Sequence, residues 1–161
     1  MARARELEDS FAALAPARDL ANNDDFKNSD AYAEIPNLFE TGTSRYQDIL
    51  QNYEVVDTAE LVFPDDSLLL GKDNKNAIWK FAHSFNTETD VLSVIGCSHG
   101  STKLENGNGY LANGRAFRVK EEFLSVGLAP KHVLEEGCWA NVAHQTMPAR
   151  GVVVQHKRLI E

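Results

Sequence analysis

Two cysteines and a histidine have the clearest chemical potential in this sequence. Cys97 and His99 stand two residues apart after an apolar run, and both cysteines directly follow a glycine. Thiolates and imidazole nitrogens bind zinc, and the candidate ligand set is Cys97, His99, Cys138 and His144. Their C-x-H and C-x5-H spacing is not that of a standard structural zinc site, so we predict no metal and no cofactor. One disulfide and two small buried thiols stay open as alternatives.

Cys97 and His99 also have the side-chain types of a nucleophile and its base. Residues two apart on a strand point to the same side, so the two groups can meet. A working pair also needs an acid that orients the base and donors that stabilise an oxyanion, and neither is recognisable beside them. We therefore predict that the chain is not an enzyme.

Two arginines are candidates for binding an anionic ligand. Arg115 lies next to the apolar positions Ala112 and Ala116 of a predicted helix, at the rim of its buried face. It is explained either by a ligand carboxylate or by an ion pair with an acidic loop. Arg150 opens a predicted strand and either binds a ligand or caps the edge of the sheet.

Length and charge limit the class of protein. The chain has 161 residues, 24 acidic against 16 basic, and a net charge of −8, without a concentrated basic stretch. This predicts one domain and no nucleic-acid partner. No apolar run approaches the roughly 20 residues that span a bilayer, so we predict no transmembrane segment. The first residues turn acidic from Glu6 without an apolar stretch behind them, unlike a signal peptide.

Strands and helices alternate from Glu54 onward in the order β-α-β-α-β-β. Apolar patterning and turn residues predict strands at 55–63, 91–95, 132–137 and 150–157 and helices at 72–85 and 108–126. Alternation favours parallel pairing with the helices on one sheet face. The loop of about 12 residues between the last two strands allows them to pair antiparallel.

The first third of the chain has weaker signals. A short helix is predicted at 6–15, an Asn/Asp-rich extended arm at 21–43, and a second short helix from Ser44 to residue 52. We predict an N-terminal arm at 1–53 and a domain at 54–161. His83 and His132 are predicted to be surface residues of a helix and a strand.

Residues 54–158 resemble the OmpA-like domain found in Pal, MotB and the C-terminal part of OmpA. Residues 94–100 lie where that family carries V-x-G-H-[ST]-D-x-x-G, and 108–119 match N-x-x-L-S-x-x-R-A-x-x-V. Residues 137–140 fit G-[YF]-G-x, and Arg150 fits part of N-R-R-V. The resemblance implies a mixed four-stranded sheet with helices packed on one face, an α/β (α+β) fold.

In that family the domain binds the peptidoglycan stem peptide without catalysis. The Asp of G-H-[ST]-D holds the ammonium of diaminopimelate, and the Arg of L-S-x-x-R-A holds its carboxylate. The resemblance therefore implies binding roles for Arg115, His99, Asn108 and Arg150. His99 stands in the Asp position and Cys97 in the preceding His position, so half of this clamp is missing. Glu105 in the next loop is one acidic substitute.

The motifs around Cys97 and Cys138 are most similar to a divergent branch, the OmpA-like lipoproteins of Dot/Icm type IVB secretion systems. This resemblance implies a periplasmic address at the outer membrane, a lipid anchor, and other outer-membrane secretion-complex proteins as partners. The resembled fold also makes the two strands parallel neighbours, which would bring Cys97 and Cys138 within reach of a disulfide. The alternative function is a degenerate domain that only docks other proteins.

Overall fold

The elements follow the predicted order. A computed structural model describes residues 37–38, 44–100, 107–140 and 150–160. Its helices are α1 (Gln47–Leu50), α2 (Lys72–His83) and α3 (Gly107–Ser125), with a 3-10 turn at Pro130–His132, and its strands are β1 (Tyr53–Val62), β2 (Asp90–His99), β3 (Val133–Ala140) and β4 (Arg150–Leu159). The predicted α/β fold class is confirmed. The predicted helix at 6–15 and nearly all of the predicted arm lie outside the described residues.

The four strands form one mixed sheet in the order β1-β4-β2-β3. β4 is antiparallel to both β1 and β2, whereas β2 and β3 are parallel. The prediction that the last two strands pair with each other is therefore wrong. Between β1 and β2, β4 forms hydrogen bonds along both edges and buries Val152 and Val154 completely. At the outer edge of the sheet, beside β3, β4 would form hydrogen bonds with only one neighbouring strand.

The core lies between one face of this sheet and the helices α2 and α3, and we call that side the helix face. Ile78 and Phe81 of α2 are buried there, as the spacing of apolar residues predicts. The core is completed mainly by Leu61, Leu92, Val94, Val119, Phe123, Val152 and Val154. The opposite side of the sheet is called the far face below.

Helix α3 ends at Ser125, one residue before the predicted end, and Gly127 follows it. This residue has φ 112°, a value that only glycine adopts without strain. The Gly127 N–H donates to the carbonyl of Leu124 and the Leu128 N–H to that of Phe123, at 3.1 and 3.2 Å. These two bonds form a Schellman motif, which satisfies carbonyls that the helix end leaves open.

Gly96 allows α3 to lie directly on β2. A Cβ added at residue 96 would collide with the Ala112 carbonyl oxygen and would lie 2.7 Å from the Ala116 nitrogen. Both atoms belong to the helix backbone, which cannot turn aside as a flexible side chain can. This close approach sets the height of α3 above the sheet and therefore the position of Arg115.

We expect Gly96→Ala to destabilise the domain by about 3 kcal/mol, since the added methyl must push helix and strand apart. Urea unfolding monitored by circular dichroism measures the change. Gly109→Ala is the graded comparison, because its methyl would lie 3.1 Å from the Trp139 side chain, which can shift. Its cost is expected to stay within about 1 kcal/mol. Equal effects of the two substitutions would contradict the role given to Gly96.

Candidate functional site

Cys97, His99 and Cys138 meet on the far face. Gly96 faces α3, so the alternation of side chains along β2 turns Cys97 and His99 to the other side. Cys97 and Cys138 are directly paired in the parallel β2–β3 register. Cys138 Sγ lies 3.7 Å from His99 Nε2, and all three residues are buried. Of the four candidate zinc ligands, the structure brings these three together, and His144 lies outside the described residues.

Both cysteines are free thiols in this structure. Adjacent strands lie about 4.8 Å apart, which is within the Cα range of disulfides, so the Cys97–Cys138 bridge stays a prediction. The hydrogen bond with Cys138, together with burial, raises the pKa of the Cys97 thiol well above its ordinary value. The same bond lowers the pKa of Cys138. Cys138 is therefore the first of the two thiols to ionise.

Arg115 is completely buried, deeper than the rim position that its helical spacing predicts. Its guanidinium donates to three backbone carbonyls, those of Ser67 at 3.0 Å, Cys97 at 3.1 Å and Pro64 at 3.1 Å. The Phe63 ring lies below, 5.6 Å from Cζ. Arg115 thus fastens the β1–α2 loop to the end of β2. The sequence left two alternatives for the partner of Arg115, a ligand carboxylate and an acidic loop. In the structure the guanidinium donates to backbone carbonyls instead.

The charge on Arg115 persists in this site. Burial lowers the pKa of Arg115 to about 10, against the opposing effect of the Asp66 and Asp65 carboxylates, so the guanidinium stays protonated at neutral pH. The Arg115 guanidinium bonds to β2 at the Cys97 carbonyl, whereas the His99 ring lies against the Cys138 thiol.

Asn108 joins three element ends. Its Oδ1 accepts from Ser98 Oγ at 2.6 Å, and its Nδ2 donates to the carbonyls of Gly100 and Ala140 at 2.8 and 3.0 Å. These bonds tie the first turn of α3 to the ends of β2 and β3. Because its polar atoms are engaged with the protein, this geometry explains Asn108 as a structural residue.

Arg150 is exposed, unlike Arg115. Its side chain is 56% exposed, and its Nε lies 2.5 Å from Asp65 Oδ1, which is also in solvent. Its carbonyl accepts from the Phe63 N–H at 2.8 Å, so its backbone continues the pairing of β4 with the chain that follows β1. Asp66 follows in the same turn with φ 48°. We call Asp65, Asp66 and Arg150 the loop patch, and it lies directly outside Arg115.

Sequence reasoning missed a buried charged group at the other end of β2. The Asp90 carboxylate accepts from His156 Nε2 at 2.6 Å and from Arg158 Nε and Nη2 at 2.8 and 2.9 Å. The Asn86 N–H and the Thr89 hydroxyl complete its shell at 2.9 and 2.7 Å. Two features of the sequence could have indicated it. Asp90 stands at the start of an apolar strand, and His156 lies within another strand.

His132 is buried, so its prediction as a surface residue is wrong. Its ring packs against that of Phe85 with centroids 5.2 Å apart, because the 3-10 turn folds it under the end of α2. His83 is exposed on α2, as predicted.

The described parts of the N-terminal region contact the outer strand β3. The Asn37 side chain makes a pair of bonds with the Trp139 backbone, at 2.9 and 3.0 Å. The buried Glu136 carboxylate accepts from Ser44 Oγ at 2.5 Å and from the Arg45 N–H at 2.8 Å. These contacts protect an edge that would otherwise present unpaired backbone groups.

No family model and no curated protein matches this chain. Solved structures do resemble it. A periplasmic domain of MotB from Helicobacter pylori is 17% identical with a TM-score of 0.50, covering 66% of this chain and 78% of that one. The OmpA-like domain of FopA1 from Francisella tularensis is 20% identical with a TM-score of 0.49, covering 65% and 73%.

The chain shares the mixed α/β fold of this MotB domain. The fold predicted from the sequence motifs is confirmed. Across the described ranges, none of the helices combines the length and apolar character needed to cross a membrane.

Proposed function

We propose that this chain is a non-enzymatic periplasmic module that associates with peptidoglycan through the loop patch. The observation that carries the proposal is the exposed ion pair between the Arg150 guanidinium and the Asp65 carboxylate, with Asp66 next to it in the same turn. The free end of a diaminopimelate side chain has one ammonium and one carboxylate. The loop patch offers a partner of opposite sign for each.

The energy of the patch suits exchange with a ligand. Exposed ion pairs such as Arg150–Asp65 contribute little stability, about 0 to 1 kcal/mol, so opening this pair costs little. A guanidinium binds a carboxylate through two parallel hydrogen bonds, and these charge-assisted bonds are stronger than neutral ones. The ligand carboxylate would replace Asp65 on Arg150, and the released Asp65 carboxylate would accept from the ligand's ammonium.

Arg115 has a supporting role in this proposal. It holds the carbonyls of Pro64 and Ser67, which flank the two aspartates. The loop patch is therefore presented on a fixed turn. In this arrangement a missing acid at position 99 does not prevent binding, because the carboxylates come from the β1–α2 loop.

We expect Arg150→Ala to reduce sedimentation with purified peptidoglycan about tenfold, the loss of one charge-assisted contact. The Asp65→Asn and Asp66→Asn double variant should fall similarly, and all variants should keep the wild-type melting temperature. Arg118→Ala is the matched control, an arginine on α3 whose partner is Glu121. Wild-type sedimentation that neither substitution changes would contradict the use of the loop patch.

A second candidate is a degenerate domain that serves only as a protein-docking scaffold. The complete burial of Arg115 favours it, since the guanidinium is bonded to three backbone carbonyls of the protein itself. Absence of wild-type sedimentation with peptidoglycan, from a protein that melts cooperatively, would select this candidate over the first.

Within either candidate we propose the narrower assignment to the DotK/IcmN lipoproteins, with residues 1–53 as an arm and 54–161 as the domain. In this proposal the arm tethers the domain to the outer membrane, and the partners are other components of a Dot/Icm core complex. The motifs around Cys97 and Cys138 support it. Fractionation of the native host should place the protein with the outer membrane, in one complex with other secretion components.

A further inference from the structure

We propose that Cys97, His99 and Cys138 form a binding site for a zinc-type divalent cation. Among the described residues these three side chains hold their ligand atoms within 4.8 Å of one another. The site lies on the far face of β2 and β3. Nothing in the proposed wall-binding role requires it.

The spacing of the donor atoms fits a tetrahedral ion. Zinc binds thiolate sulfur at about 2.3 Å and imidazole nitrogen at about 2.1 Å, which places two such ligands about 3.6 Å apart at a tetrahedral angle. Cys138 Sγ and His99 Nε2 are 3.7 Å apart. Small rotations of the three side chains would therefore direct all donors to one point.

The types of donor select the metal. Two thiolates and one imidazole match zinc and related borderline ions, whereas magnesium and calcium require oxygen ligands. Binding releases one proton from each thiol to solvent, and His99 donates a lone pair through a ring nitrogen. A water molecule or an added small ligand takes the fourth position.

The fold prepares the site in advance. Cys97 and Cys138 are register partners on adjacent strands, and His99 follows on the same face of β2. Three positions that differ from the motifs quoted above also coincide here. Cys97 replaces the motif's His, His99 its Asp, and Cys138 the aromatic residue of G-[YF]-G. A metal site gives these three replacements a single explanation.

The test uses the full chain, purified with reductant and freed of metal. Titration with cobalt(II) should produce a thiolate-to-cobalt charge-transfer band and the intense visible bands of a tetrahedral ion, saturating at one equivalent. Zinc should displace the cobalt and slow the reaction of both thiols with a thiol reagent. At zinc a hundredfold above Kd, the melting temperature should rise by about 5 to 10 °C.

His99→Ala retains both thiols and should weaken cobalt binding at least tenfold, with loss of the tetrahedral spectrum. The Cys97→Ser and Cys138→Ser variants should abolish the charge-transfer band and the thermal shift together. His83→Ala is the matched control, an exposed histidine that should bind as the wild type does. Circular dichroism identifies folded variants, and His99→Ala alone decides the matter if a serine variant unfolds.

Three outcomes would overturn the proposal. The first is binding below half an equivalent in the folded, reduced wild type. The second is cobalt binding that His99→Ala leaves unchanged. The third is a protein that returns to a Cys97–Cys138 disulfide in air even with zinc present in excess, which would identify the pair as a structural bridge.

Discussion

Arg115→Ala is expected to lower the free energy of unfolding by about 4 kcal/mol, because it opens a cavity and removes the donor from three backbone carbonyls. Those carbonyls belong to Pro64, Ser67 and Cys97, so the loss affects a loop and a strand end together. Urea unfolding at neutral pH measures the change. Arg115→Lys should recover only part of it, since one ammonium cannot reproduce the planar fork of a guanidinium.

Arg118→Ala is the control for this measurement. Arg118 lies one turn along the same helix, partly exposed, and pairs with Glu121 at 2.8 Å. Surface pairs of this type contribute little, so its expected cost is below about 0.5 kcal/mol. If Arg115→Ala unfolds at the same urea concentration as Arg118→Ala, the buried guanidinium does not hold the loop. A ligand-binding role for Arg115 would then become the better explanation.

This result also determines how wall-binding experiments are interpreted. A folded but loosened Arg115→Ala protein would lose peptidoglycan binding indirectly, through movement of the loop patch. Arg150→Ala removes an exposed side chain and leaves the carbonyl bonds of Arg115 in place. Only Arg150→Ala therefore reports on direct contact with the ligand.

Asp90→Ala is expected to cost about 3 to 5 kcal/mol, because it removes one partner from a buried charged group. His156 is buried, and Arg158 makes two bonds to the lost carboxylate. Asp90→Asn keeps the shape but not the charge and should cost about 3 kcal/mol. Glu88→Gln, an exposed residue in the preceding turn, is the control and should change stability little.

The same carboxylate predicts an acid-dependent loss of stability. Burial acts to raise the pKa of Asp90, but hydrogen bonds from Arg158 and His156 outweigh it and hold that pKa well below its ordinary value. A lowered pKa in the folded state stabilises the fold fully above the unfolded value of about 3.9 and progressively less below it. Unfolding free energies at pH 7, 4 and 3 should therefore fall more steeply for the wild type than for Asp90→Asn. If the unfolding free energies of the wild type and Asp90→Asn fall equally with pH, Asp90 does not cause the acid-dependent loss of stability.

The sequence alone determined the elements and their order. The apolar spacing at Ile78 and Phe81 predicts the buried face of α2, and Gly127 predicts the end of α3. These signals are local, because helix periodicity and chain reversal depend on interactions among residues a few positions apart. The motifs around Gly96 and Asn108 also allowed the fold class to be predicted, because they lie where helix and sheet make contact.

Strand neighbours and side-chain partners were decided only by the tertiary structure. β4 lies between β1 and β2, against the prediction, because two ladders and a buried position stabilise a strand more than an outer edge. Arg115 reaches Pro64 across 51 residues, and Asp90 reaches His156 across 66. No local pattern encodes such contacts. They exist because burial of a charged group requires partners, and the folded chain supplies them from wherever its packing brings a carbonyl, an imidazole or a guanidinium within reach.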